Sequence, residues 1–527
     1  MNDPSLPKYT ISTIAFESCR SNSREKEDGG SLERQQISGE QNNLPRTLKN
    51  RHVAMISIGG AIGTGLFIGT GTALSNGGPA SLVLGYAFTG ILAWALMCSL
   101  GEMICHLPIA GGHTALAYRF FSPSLGFALG WAYWYLWSVC LATELAACAI
   151  LIRFWTTRIN PAIWILIFLV GVALINLGLS IKFWQSGEME FWFCSIKILT
   201  IVSVIILGII LDLGGVTGER IGFRYWKDPG PFVQYKGVPG AIGRFCGFFS
   251  VFITAAFSYI GIETTAIAAA EAKNPRRNMP KAIKRVLGRV LVFYVVGTAV
   301  ISVLVPSNER RLLLSDSTGA KSPFVIAVQK AGIKGLPSII NAALLTSAWS
   351  AASSNLYVSS RTLYGMSLAG SAPRFLSKLT SNGVPIYCYF AGIAVGALAL
   401  MSADAGKIGL VFGALCNMTS VTGLIVWASI FATYIRFHSG MIVQKYEKSQ
   451  LPYRSPLGPK AAWCGLVCCV IIIFTNGFRV FLKGGWEFET FFTCYFPVVV
   501  FIAMAVIHAW KTGSSLVPKG SMDFGES

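Results

Sequence analysis

The sequence predicts an all-α membrane protein of twelve transmembrane helices, ten of them in two five-helix repeats of opposite orientation, with two further helices behind them. Three observations carry this expectation. Of 527 residues, 53% are hydrophobic and 13% charged, against roughly 25% charged in soluble domains. Apolar runs of about 18 residues or more, enough to cross ~30 Å of hydrocarbon, can be placed twelve times. The first and sixth runs are interrupted at matching positions by glycine and polar residues, the pattern expected of a transporter built from inverted repeats.

Span one, near 53–73, holds Gly59, Gly60, Gly63, Gly65, Gly69 and Gly71 where a lipid-facing helix would carry leucine. Irregular backbone at membrane depth is tolerable only where it is buried in protein or lines a cavity, so the run Ile58 to Phe67 points at a binding site. Span two, near 79–105, carries Glu102, and the small residues Ala110, Gly111 and Gly112 before His113 suggest a re-entrant or interfacial turn near a cytosolic gate; no catalytic role is expected of His113. Spans three (125–152) and five (189–211) carry Glu144 and Lys197, with span four (161–180) between them. Span six, 245–270, breaks at Phe257-Ser-Tyr-Ile-Gly-Ile-Glu263. Spans seven to twelve follow near 286–305, 336–366, 384–402, 408–435, 460–482 and 488–510. The predicted division is a disordered cytosolic tail over 1–50, a first repeat over 51–211, a second over 245–435, two further helices over 459–510 and a cytosolic tail over 511–527.

Orientation follows from the basic residues. The net charge is +19, which in a soluble chain would suggest nucleic acid, but here the positive residues lie in loops beside spans and no nucleic-acid partner is expected. Lys273, Arg276, Arg277, Lys281, Lys284 and Arg285 follow span six; Arg436, Lys445, Lys448, Arg454 and Lys460 follow span ten. Short loops rich in Lys and Arg stay in the cytosol. Both loops follow even-numbered spans, which places both termini in the cytosol. The intervening loops carry acids, Asp212, Glu219 and Asp228 after span five, Glu309 and Asp316 after span seven.

The broken spans define a chemistry. Where span one unwinds, N–H groups around Gly63, Thr64 and Gly65 begin a half-helix with unsatisfied donors and partial positive charge, a receptor for a carboxylate. Where span six unwinds, carbonyls near Phe257, Ser258 and Ile260 suit an ammonium. Together they describe an α-amino acid. The competing reading is that these glycines serve close helix packing.

At these residues the chain resembles the fungal amino acid permeases of the amino acid, polyamine and organocation superfamily. The likeness lies in Gly60-Ala-Ile-Gly-Thr-Gly-Leu-Phe67, Gly77-Gly-Pro-Ala80, Gly101-Glu102, the span-six core, Glu271-Ala-Lys-Asn-Pro-Arg-Arg277, Ser350-Ala-Ala-Ser-Ser-Asn355 and Tyr434-Ile-Arg-Phe437, and runs from about 50 to 510. It implies the five-plus-five fold of the bacterial leucine transporter, and uptake at the plasma membrane driven by the proton gradient, with the proton as coupling ion and no cofactor.

Ionisable side chains inside the membrane cost ~2.5 to 3.5 kcal/mol each and need a reason. In proton-coupled members of the superfamily, a lysine at the place of Lys197 resembles a replacement for sodium, reaching carbonyls of broken span one. Lys197 is therefore read as the coupling residue, a fixed structural cation being the alternative. Glu144 is read as a carboxyl that is protonated with each cycle or contacts the substrate, or else as a neutral group bonded to a neighbouring helix. Glu263 is expected to bond freed backbone N–H groups, and Glu102 to form a gate or a structural ion pair. Tyr259 and Ile260, Trp137 or its neighbours in span three, and Ser354 with Asn355 are the expected lining, a packing or interface-belt role being the stronger reading for Trp137.

No nucleophile and base pair, HExxH or phosphate loop appears, so no enzyme is expected. The thirteen cysteines show no CxxC spacing for metal or redox work. Expected partners are an amino acid, membrane lipid and ubiquitin acting on tail lysines such as Lys26. A sensor that binds an amino acid without moving it is the alternative function. The class of amino acid is left open, because Glu144 suits a cationic side chain when ionised and a neutral or acidic one when protonated.

Overall fold

A computed structural model describes residues 63–109, 111–177, 188–216, 218–235, 238–264, 275–312, 322–380, 384–404, 406–447, 451–481 and 485–525. The amino-terminal tail with Lys26, the glycines before Gly63, Ala110, Lys273, Asp316, Lys448 and the side chains of Arg276 and Arg277 lie outside the described residues.

Nine helices among the described residues are long and apolar enough to cross a membrane: Pro79–His106, Pro123–Ile152, Trp192–Asp212, Gly240–Tyr259, Pro280–Leu304, Ile386–Ala403, Ile408–Val443, Gly458–Thr475 and Phe488–Thr512. They fall on predicted spans two, three, five, six, seven, nine, ten, eleven and twelve. The other predicted spans are helical too, but short or polar. Span one is a π-helical turn, Gly65–Gly69, running into the helix Thr70–Gly77. Span four is Pro161–Asn176, and span eight is the 33-residue Leu336–Leu368, whose serines dilute its hydropathy.

Local chemistry sets where these helices begin. Ser122 caps span three by accepting from the Leu125 amide at 3.1 Å, with Pro123 at the first helical position; Asn160 caps span four by accepting from Ala162 at 2.9 Å, followed by Pro161. In both, a polar side chain satisfies an orphan donor and proline supplies a helical φ. Between spans one and two the chain turns at Gly78, with φ +89° and a Cβ position only 2.8 Å from the Pro231 carbonyl oxygen. Only glycine fits both conditions.

Span three is the axis of the molecule. Of its apolar window 89% is buried, against 28% and 22% for spans eleven and twelve. Span eight packs along it, and the serine hydroxyls of Ser138 and Ser359 meet at 3.0 Å between them. Trp463, Val467, Phe474, Val499 and Ile502 of the last two spans are exposed; lipid, as apolar as they are, is their solvent. Span ten runs eight residues past its predicted end at 435, because Phe437, His438, Gly440 and Met441 are buried there as well. The segments after spans two, ten and twelve meet on one face of the protein, where Phe121 bonds Val517 and Gln444 bonds Met522.

Candidate functional site

The two spans read as interrupted from the sequence touch. A Cβ on Gly65 would lie 2.7 Å from the Ser258 Cα, 2.8 Å from its Oγ and 3.0 Å from the Phe257 ring. Glycine at this position therefore decides how closely span one approaches span six. Thr64 has helical dihedrals, φ −61° and ψ −22°, and Gly65 opens the π-helical turn that follows, so both amides stand at the start of the described part of span one.

A carboxyl group already faces that turn. The Thr64 hydroxyl donates to the Glu144 carboxyl at 3.1 Å, its amide faces the same group, and a Cβ on Gly63 would lie 3.2 Å from Glu144 Oε1. Glu144 is buried, and its Oε2 accepts no hydrogen bond. The buried ammonium of Lys197, on span five, lies within electrostatic reach of it.

Span six leaves the helix after Tyr259: Ile260 has φ −57° and ψ 142°, and Gly261 takes φ +92°. Its carbonyls are not equally available. The Ser258 carbonyl accepts from the Tyr294 hydroxyl at 3.0 Å, and that of Tyr259 accepts from the Ile262 amide at 3.3 Å. Those of Phe257 and Ile260 accept none among the described hydrogen bonds. Ile260 packs on span ten at Gly423, where a Cβ would lie 2.7 Å from its side chain. Glu263, wholly buried, faces the amides of Gly261 and its own residue and accepts from Trp427 Nε1 at 3.4 Å.

Three tyrosines hold this junction from outside. The Tyr86 hydroxyl of span two lies 2.9 Å from Ser258 Oγ and 3.4 Å from the Gly65 carbonyl. Tyr259 donates to the Tyr86 carbonyl at 2.9 Å, and its ring stacks on Tyr294 of span seven with centroids 4.2 Å apart. Tyr86 and Tyr294 were not singled out by sequence; their one available signal was a polar tip inside an apolar span.

Other expected residues sit further away. Asn355 is buried on span eight and makes no hydrogen bond among the described residues, while Ser354 bonds back to the Ser350 carbonyl at 3.2 Å. Glu102 accepts from the Tyr434 hydroxyl at 2.9 Å and from the Ser455 amide at 2.6 Å, tying the end of span two to span ten and the loop beyond it. The Trp137 ring meets Tyr133 edge-on at 5.8 Å, and Tyr133 meets His113 edge-on at 4.5 Å. His113 lies on the short helix Gly112–Phe120. Burial pushes its imidazole down to about 3, and neither ring nitrogen has a hydrogen-bond partner.

Residues 52–516 match the family profile described as amino acid permease. The dicarboxylic amino acid permease of Saccharomyces cerevisiae is 40% identical over 88% of this chain and 76% of its own length. The proline-specific permease of Emericella nidulans is 39% identical over 88% of this chain and 84% of its own. The lysine-specific permease of Saccharomyces cerevisiae is 37% identical over 90% and 78%. Among solved structures, a manganese transporter of Eremococcus coleocola superposes with a TM-score of 0.56 over 95% of this chain and 99% of that one, at 12% identity, a likeness of fold alone.

Proposed function

The chain belongs to the amino acid permease family, and from that premise we propose that it is a secondary active transporter, taking up amino acids with protons by alternating access across the plasma membrane. The meeting of Gly65 with Ser258 carries the reading. At that junction the amides of Thr64 and Gly65 suit the substrate carboxylate, and the carbonyls of Phe257 and Ile260, with one lone pair of the Ser258 oxygen, suit its ammonium. The twelve spans then form two five-span inverted repeats with two helices added, and both termini lie in the cytosol.

The position of Glu144 supplies a route to proton coupling. Its carboxyl and a substrate carboxylate would share one helix start, and two like charges at one site repel. A proton on Glu144 relieves the repulsion, so proton and substrate bind better together than apart. Lys197, within electrostatic reach, biases which form of Glu144 prevails when the site is empty. Glu263 shapes the span-six break, and Asn355 and Trp137 are the side chains left to meet the variable part of the substrate.

The substrate class stays open on physical grounds. Relatives named for dicarboxylic amino acids, proline and lysine stand at 40%, 39% and 37% identity, so overall similarity does not choose among them. The sensor alternative draws no support from the family match. The test is uptake of a panel of labelled amino acids by cells lacking their own permeases. Concentrative uptake abolished by a protonophore is expected. Uptake indifferent to the proton gradient would sink the coupling, and no uptake by surface-expressed protein would sink transport.

A further inference from the structure

The segment that follows span twelve is docked against the protein. The Val517 amide donates to the Phe121 carbonyl at 2.9 Å. Arg436 donates to the Phe120 carbonyl at 3.2 Å and to that of Val517. Gln444 donates to the carbonyls of Lys519 at 3.0 Å and Met522 at 2.8 Å. Arg119 pairs with the Asp523 carboxylate and donates to its carbonyl at 2.6 Å.

Two apolar anchors accompany these bonds. Met522 and Phe524 are 3% and 5% exposed. The Phe524 ring lies 5.5 Å from each of Phe120, Phe437 and Tyr446. Met522 occupies the space that a side chain on Gly440 would need, and Gly525 approaches Leu107 at the end of span two. The surface fits this segment in kind: one cleft takes an aromatic ring, and three long side chains donate to main-chain carbonyls. Buried anchors with directed hydrogen bonds distinguish a docked segment from a tail lying on a surface.

The helix Gly112–Phe120 joins this surface to the substrate side. Its first turn places His113 against Tyr133, which neighbours Trp137 on the inward course of span three. Its last residues, Arg119 and Phe120, are held by the carboxyl-terminal segment. We propose that residues 514–525 are a latch on the cytosolic gate: docked, they hold this helix and span ten together beside the end of span two, and they release as that side opens. Only the gating consequence rests on the transport reading; the docking does not.

A cross-link tests it. Gly440→Cys with Met522→Cys puts two thiols where one side chain now fills the gap, the shorter cysteine making room for the new side chain. In oxidised membranes the pair is expected to lose two maleimide-PEG additions relative to the reduced protein, and uptake is expected to fall at least tenfold and return on reduction. Neither single variant should do this. Cross-linked protein that transports at the reduced rate would overturn the gating, and two freely labelled thiols would overturn the docking. Phe524→Ala, in the otherwise native chain, should speed tryptic cleavage at Lys519 severalfold in inside-out vesicles; unchanged cleavage would also overturn the docking. Absence of uptake by the native protein would count against transport, while cross-link yield and cleavage rate judge the docking by themselves.

Discussion

Gly65→Ala adds one methyl group at the point where the broken spans meet. The new Cβ would lie 2.7 Å from the Ser258 Cα, a backbone atom that cannot rotate aside, and 3.0 Å from the Phe257 ring. Carbon atoms prefer about 3.5 to 4.0 Å, so span six must retreat by close to an ångström or span one must tilt. Overpacking of this kind costs about 1 to 3 kcal/mol, which at ~1.4 kcal/mol per decade is roughly a 5- to 150-fold loss of affinity. Among the described residues Gly63→Ala meets only the end of the Glu144 side chain, at 3.2 Å, and a carboxyl can shift, so its cost should stay below about 1 kcal/mol. Gly288→Ala, with nothing within 4 Å of its Cβ, is the control. The assay is saturation uptake normalised to surface protein by biotinylation. The expected order of KM is Gly65→Ala far above Gly63→Ala, with Gly288→Ala at the native value. Gly65→Ala with native surface level and KM within twofold of native would refute the close approach of the spans.

Three further perturbations have expected outcomes. Tyr294→Phe removes the hydroxyl that bonds the Ser258 carbonyl at 3.0 Å; losing one such bond is worth about 0.5 to 1.5 kcal/mol, so KM should rise several-fold in uptake kinetics while surface level holds. Glu144→Gln should flatten the pH dependence of uptake and spare exchange of substrate for substrate, whereas Lys197→Met should alter the pH profile without removing it; an unchanged profile in Glu144→Gln would transfer the proton to Lys197. Glu309, outside the membrane spans, accepts from Arg311 at 3.0 Å and pairs with Lys330 at 3.1 Å, and Arg311 above all holds its carboxyl down at about 2. A depressed carboxyl contributes stability above its unfolded value, near 4.3, and loses it as pH falls through the folded one. For such a partly exposed pair the contribution is about 1 kcal/mol. Glu309→Gln should therefore lower Tm at pH 7 and match the native protein only below about pH 2, as read by thermal unfolding of purified protein across that range.

The sequence made the break in span six legible because Ser258 and Gly261 inside an apolar run contradict the rule that builds the rest of the helix. Nine spans were equally plain from hydropathy. Span eight, expected over 336–366 and found over Leu336–Leu368, was placed although Ser347, Ser350 and Ser353 are buried in it and each lowers the hydropathy that defines a span. The bond from Thr64 to Glu144 crosses 80 residues of chain, and no local pattern announces such a partner. Tyr86 and Tyr294 stayed hidden because a tyrosine in an apolar run reads as a packing residue until its hydroxyl is seen to have a direction. The docking of residues 514–525 depends on carbonyls, which every residue has, and on two apolar side chains too few to form a pattern.

Span ten connects four features found separately. It meets Ile260 at Gly423, Glu263 at Trp427, Glu102 at Tyr434 and the carboxyl-terminal segment at Gly440 and Gln444. From Gly423 to Gly440 is about 26 Å of rigid rod at 1.5 Å per residue. Pivoted at Gly423, a tilt of about 10° would carry Gly440 some 4 Å sideways, past the ~3.2 Å limit of an ordinary N–H···O hydrogen bond. A helix anchored beside the span-six break thus has the mechanical advantage of a lever, turning a small tilt at Gly423 into a broken contact at Gly440.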